Sequence, residues 1–195
     1  MIETIDSLKI LYKDYVNVND KISREVKRGN LFYIKRGLYE TDKNANPFYI
    51  ANVIIVPSYI SFETALYYYG LIPERVNIIM SASFKMNKHK EYKNYFGKFY
   101  YIDINADAYP YGIDAINIDN KIVFIASKEK AILDTLSKIS PRRSVKEVKD
   151  LLFDDLRFNE YEFDNINTNK LIELSTLYKG STFKYLRLFL GGKHD

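Results

Sequence analysis

The chain reads as an α+β protein, and three features of it say so. Between Lys21 and Arg36 a basic helical pattern gives way to two short apolar runs folding back on one another. Between Val76 and Ile125 the apolar residues come in strand-length runs, and from Ser127 onward the period turns helical. The first feature predicts a small winged-helix-like domain over residues 1–41. The other two predict a larger domain over 46–195, with a partly antiparallel sheet and C-terminal helices.

In chain order, Ile5, Leu8 and Tyr12 fall at helical spacing with Leu11 beside them, predicting a support helix within residues 3–14. Tyr15 to Val18 reads as extended. Asn19 or Asp20 then caps a helix that Gly29 ends, and Leu31–Ile34 and Leu38–Glu40 pair across Lys35-Arg36-Gly37 as a wing. On the helix, Ile22 and Val26 share one side, Arg24, Lys27 and Arg28 lie roughly opposite, and Lys21 sits at the margin. A winged helix-turn-helix ordinarily has three helices before its wing, but the residues ahead of Asp20 suffice for one full helix and little more, so the domain is expected to be shortened.

Charge gives this unit its expected role. Lys21, Arg24, Lys27, Arg28, Lys35 and Arg36, with the single acid Glu25, carry more positive charge than the +4 of the whole chain, so everything else is nearly neutral. Each cation that neutralises a phosphate releases condensed counterions, and a helix offers its edge to the major groove. The helix residues are therefore expected to approach bases or phosphates, and the Lys35-Arg36 pair to straddle the backbone or minor groove of double-stranded DNA. The plainer alternative is a solvated basic helix followed by a hairpin.

Thr41 to Asn46 is polar and aperiodic, a linker. Pro47 suits the first position of a helix reaching Val56, and Pro57 closes it. Ser61 caps a helix ending at Gly70, with Phe62, Ala65, Leu66 and Tyr69 inward. Val76–Met80 and Phe99–Ile104 are expected strands, separated by a charged loop from Lys85 to Lys93. Ile116–Ile118 and Lys121–Ile125 flank Asp119-Asn120, a pair that tolerates positive φ in a hairpin turn. Ser127 caps a helix carrying Ile132, Leu133, Leu136 and Ile139, with Pro141 beyond. Ser144 to Glu147 has capping-box spacing ahead of Val148, Leu151 and Leu152. Two more helices start at Thr168 and Ser181 and stop at Gly180 and Gly191.

Several chemistries are disfavoured. Without cysteine there are no disulfides, thiolate metal sites or thiol nucleophiles, and His89 and His194 are the only histidines, so neither metal nor cofactor is expected. No apolar run approaches the roughly 20 residues of a membrane span and the first residues lack a signal-peptide pattern, which points to a cytoplasmic protein with no membrane partner. Ser127-Lys-Glu-Lys130 matches the Ser-x-x-Lys pattern of acyl enzymes but lacks its companion motifs, and helix capping explains Ser127 better. Glu91-Tyr-Lys93 and Glu147-Val-Lys149 have the Glu-x-Lys spacing of metal-dependent nucleases, a chemistry that needs both residues on one side of a strand with an Asp sharing the metal. Glu147 falls in an expected helix, where residues two apart diverge, and Glu91 in the charged loop, so both read as solvated surface. His89 lies in a basic loop with Lys85, Lys88, Lys90 and Lys93, a solvated segment or a second phosphate contact. No catalytic residue is assigned, and the chain is expected not to be an enzyme.

Three stretches in this order, Val26 to Tyr39, Pro57 to Leu71 and Ser127 to Asp134, resemble the AbiEi family of bacterial antitoxins, which join an N-terminal winged helix-turn-helix to a C-terminal antitoxin domain. The resemblance implies a type IV toxin-antitoxin system in abortive infection, a phage defence. The antitoxin counters a nucleotidyltransferase-like toxin, AbiEii, without a firm complex, and its winged domain represses its own operon by binding inverted repeats in the promoter. Carried over by position, the DNA-facing groups are Lys21, Arg24, Lys27, Arg28, Lys35 and Arg36. Ser127 to Asp134 corresponds to a characteristic helix of the antitoxin domain. This chain departs from the family in having less sequence before the wing. Two other readings stand beside this one: a protein-interaction module whose degenerate winged helix binds no DNA, and a metal-dependent nuclease.

Overall fold

Thr4 and Ser7 decide where the first helix begins. The Thr4 hydroxyl accepts from the Ser7 backbone N–H and the Ser7 side chain answers the Thr4 N–H, a capping box that divides strand β1 (Ile2–Thr4) from helix α1 (Ile5–Leu11). The computed structural model describes residues 1–75 and 77–192. In it, helix α2 (Val18–Arg28) is capped by the Asn17 side chain on Asp20 N–H and closed by Gly29 at φ 75. The helix thus starts earlier than Asn19 or Asp20. Of the expected extended stretch Tyr15–Val18, Tyr15 and Val16 lie in a bend, Asn17 alone is the extended cap, and Val18 is already helical. Strands β2 (Phe32–Lys35) and β3 (Leu38–Glu40) form the hairpin, and β1 pairs with the other side of β3, giving a three-stranded sheet of order β1-β3-β2. Leu8, Ile22 and Leu31 are buried together at its centre, with Val18, Val26 and Tyr39 around them. Two helices precede the wing, and the opening strand replaces the front of the expected support helix.

This unit is fastened to the rest. Ile34 belongs to the large core; the Asn94 side chain donates to the Ile34 carbonyl at 3.1 Å, and Phe32 packs on Tyr95 with ring centroids 4.6 Å apart. The loop over residues 41–46 leads to helix α3 (Pro47–Ile54), with Pro47 at its first turn and Asn46 as its cap.

The larger sheet is mixed, of order β6-β7-β5-β4-β9-β8. Its members are β4 (Ser58–Ile60), β5 (Ile79–Ser83), β6 (Lys90–Asn94), β7 (Gly97–Asp103), β8 (Ile113–Ile118) and β9 (Lys121–Ala126). Hairpin pairs β6/β7 and β8/β9 are antiparallel, as is β4/β5, whereas β5/β7 and β4/β9 are parallel. Asp119 and Asn120 take φ 51 and 60, the two positive values a type I′ turn needs. The segment Lys85 to Lys93 is only half a loop: Lys90 begins β6, a polar edge strand whose charges face solvent, a pattern that hides strands from hydrophobic reading. Ser58–Ile60 carries no strand signal in sequence because it is short, follows Pro57 and is buried throughout, with no alternation. Of the expected Val76–Met80 strand, Val76 lies outside the described residues, as does His194.

One face of the sheet receives α3. The Tyr101 hydroxyl donates to the Ala51 carbonyl at 2.6 Å. Strand β4 meets β9 in register only at Ile60 and Ile125, and the Asn52 side chain serves the neighbouring β9 peptide: Oδ1 accepts from Phe124 N–H at 2.6 Å and Nδ2 donates to Phe124 O at 3.3 Å. The other face receives helices α4 (Phe62–Tyr68) and α5 (Lys128–Leu136), which pack on each other. Helix α6 (Val145–Asp150) runs into a π-helical turn (Leu151–Asp155), followed by α7 (Glu160–Asp164), α8 (Thr168–Ser175) and α9 (Ser181–Gly191). Phe163 is the one buried residue of α7, too little to mark it in sequence. No helix of the described residues is long and apolar enough to cross a membrane.

Candidate nucleic-acid interface

Burying Ile22 and Glu25 turns the opposite side of α2 outward, and Asn19, Asp20, Ser23, Arg24, Lys27 and Arg28 form one exposed stripe along it. The Arg24 Nε donates to the Asp20 carbonyl one turn back at 3.2 Å, which orients its guanidinium along the helix. Lys27 has no ion pair among the described residues. The Arg28 side chain is 65% exposed and touches Glu25 at only 3.3 Å. Arg36 is exposed at the tip of the hairpin, beside Gly37 at φ 77.

Lys21 and Lys35 are engaged within the fold. Lys21 Nζ lies 2.8 Å from Glu25 Oε1 with its side chain only 15% exposed, and it stands over the rings of Tyr12 at 5.3 Å and Tyr15 at 4.7 Å. Glu25 is a hub: Lys21 and the Asn30 Nδ2, at 2.7 Å, hydrogen-bond its carboxylate and hold its pKa down at about 2, with desolvation working the other way. The same bond to Glu25, the largest cause, raises Lys21 above the ordinary lysine value. Lys35 Nζ donates to the Ile54 carbonyl at 2.6 Å. Ile54 is the last residue of α3, whose carbonyl has no helical partner, so Lys35 satisfies a helix C-terminus and ties the wing to the larger domain. The i, i+4 spacing of Lys21 and Glu25 was a readable signal. The Lys35 contact spans 19 residues and had none.

The segment from Ser127 to Asp134 makes a second site of interest. A capped amphipathic helix was the plain expectation, yet every residue of α5 from Glu129 to Leu136 is buried, two acids and a lysine included. Ser127 does cap it, but its hydroxyl donates to Glu129 Oε2 at 2.9 Å. Lys130 Nζ points elsewhere, to the Ala108 carbonyl at 2.6 Å, the Tyr178 hydroxyl at 2.7 Å and Asp134 Oδ1 at 3.3 Å. Asp134 also accepts from the hydroxyls of Tyr178 at 2.5 Å, Ser61 at 2.7 Å and Tyr59 at 2.9 Å. Ser61 thus binds Asp134 instead of capping α4. Burial pushes the Lys130 ammonium below the ordinary lysine value, against the pull of Asp134, and burial raises Tyr59 and Tyr178 well above theirs. With both charges inaccessible and the lysine turned away from Ser127, this centre joins β4 to α5 and to the segment after α8. It offers no nucleophile to a substrate.

Glu91 and Lys93 lie two apart on β6 and so share a face, as Glu-x-Lys chemistry needs. However, no three His, Asp or Glu side chains among the described residues are grouped to hold a metal ion. Glu147 instead accepts from Arg143 N–H at 2.9 Å at the start of α6. His89 stacks on Tyr100, centroids 5.8 Å apart. Compared with known proteins, the chain matches no family model and no curated protein.

Proposed function

We propose that this chain is a cytoplasmic, non-enzymatic antitoxin of the AbiEi type that represses its own promoter and counteracts a nucleotidyltransferase-like toxin. The observation that carries the DNA-binding half is the open stripe of Arg24, Lys27 and Arg28 on α2, followed by a hairpin that exposes Arg36. A helix of this kind fits the major groove with its cations against phosphates or base edges, while the hairpin tip reaches the neighbouring backbone. Lys21 and Lys35 support that surface from within: one orients α2 through Glu25, the other fixes the hairpin to α3. The antitoxin half rests on the resemblance of the three stretches already named.

The test is a gel shift on the DNA upstream of the chain's own gene. Wild-type protein shifts it, and Arg24→Ala with Arg28→Ala weakens binding at least tenfold; no shift, or an unchanged one in the variant, removes the repressor role. The rival reading, an interaction module with a degenerate winged helix, draws on the exposed Ile10, Leu11 and Val16 of the same unit. Co-expression with the toxin separates the two halves: full-length Arg24→Ala/Arg28→Ala protein that still rescues growth keeps antitoxicity independent of DNA binding. The full chain is the right reagent, because removing residues 1–45 strips Ile34 from the main core.

A further inference from the structure

Away from α2, a cleft of about 960 Å³ opens between the first turn of α3, the last turn of α4, the approach to β5 and the β6–β7 turn. Its size is that of a small-molecule site. Phe48, Tyr67, Tyr68 and Phe96 line it. Phe48 and Tyr68 form a tilted pair with centroids 6.0 Å apart, and Tyr67 and Tyr68 are 42% and 47% exposed, so ring surface faces the opening. Among the described residues, the charged ones in the lining are Arg75 and Lys98. Both are exposed, and neither has an ion pair among the described residues. Glu74 is held by Arg157 at 2.6 Å, and Glu63 and Glu91 line an adjoining cleft with Arg75 without forming an ion pair with it. Lys98 stands directly across from Lys93 on β6, a like-charge pairing that costs stability, with Glu91 two residues along on the same face.

Aromatic faces together with two exposed cations that make no ion pair among the described residues select a flat ring that bears negative charge. We propose that this cleft binds a nucleoside phosphate, its base against Tyr68 and Phe48 and its phosphate between Arg75 and Lys98. The ligand is either a free nucleotide or one residue of a single strand. The site is separate from the basic stripe of α2 and does not depend on promoter binding.

Titration calorimetry on the full chain tests this with guanosine and uridine 5′-monophosphate, the matching nucleosides, inorganic phosphate and a short single-stranded oligouridylate. A nucleotide binds at least about tenfold more tightly than its nucleoside or inorganic phosphate, since both contacts contribute. Arg75→Gln, Lys98→Gln and Tyr68→Ala each weaken it about tenfold; all three sites are exposed, and an unchanged unfolding temperature shows that the variants fold. Arg24→Ala/Arg28→Ala leaves nucleotide affinity unaltered. Tighter binding of the oligonucleotide assigns the ligand to a single strand, and equal affinity assigns it to a free nucleotide. The proposal is overturned by absence of nucleotide binding, by phosphate binding as tightly as the nucleotide, or by affinity that survives Arg75→Gln and Lys98→Gln but falls with the α2 variant.

Discussion

Glu25 shows how a single acid can organise a basic surface. In sequence it is the one negative charge in a run of cations and reads as an interruption. In the structure its carboxylate draws Lys21 inward, accepts from Asn30 beyond the helix end and meets Arg28 at the edge, so the helix, its C-terminal turn and the aromatic pair Tyr12 and Tyr15 share one anchor. The consequence for pH has a definite sign. A carboxylate held at about 2, below its ordinary 4.5, contributes stability that is complete above pH 4.5 and disappears as pH falls through 2. Urea unfolding at about pH 6 and about pH 3 should therefore show Glu25→Gln less stable than wild type at the higher pH, with the gap narrowing at the lower. A gap that widens on acidification contradicts this role. At this scale the sequence was partly legible. Arg24, Lys27 and Arg28 are outward as their helical positions imply, whereas the fates of Lys21 and Lys35 depend on partners that charge counting does not weigh.

Helix α5 separates pattern from environment at the scale of an element. Its Ser127 cap and its apolar spacing were readable, but its burial on every side was not, because Glu129, Lys130 and Asp134 mark an exposed face by composition alone. What reverses the expectation is a set of hydroxyls from Tyr59, Ser61 and Tyr178, brought in by elements far apart in sequence. Removing one member of such a pair leaves the other charge buried. Lys130→Met should cost about 3 kcal/mol or more in chemical denaturation, and Lys130→Met combined with Asp134→Leu should cost less than the single change. A double variant worse than the single would mean that the hydroxyls, and not the ion pair, fix the arrangement. Strand β4 gives the complementary lesson. Three buried residues after a proline carry no periodic signal, and their place in the sheet comes from β5 and β9 on either side. The Asp119-Asn120 hairpin was fully legible because its turn depends on local backbone alone.

For the whole molecule, the α+β class and the order of its parts followed from where the apolar period changes, and the fold agrees. The separation between the parts is less complete than the 41–46 loop suggests: Ile34 enters the large core and Lys35 caps α3, so the basic unit is packed against the larger domain. Positive charge concentrated on such a mounted helix and hairpin is the central claim, and salt dependence of promoter binding tests it most directly. If Arg24, Lys27, Arg28 and Arg36 each meet a phosphate, the logarithm of the association constant falls against the logarithm of salt with a slope of about −3.6, and Arg24→Ala/Arg28→Ala flattens it by about 2. Lys21→Gln lowers stability and leaves that slope alone. A slope near zero, or one that Lys21→Gln flattens as much as the double variant does, would contradict the assignment of the exposed stripe to DNA.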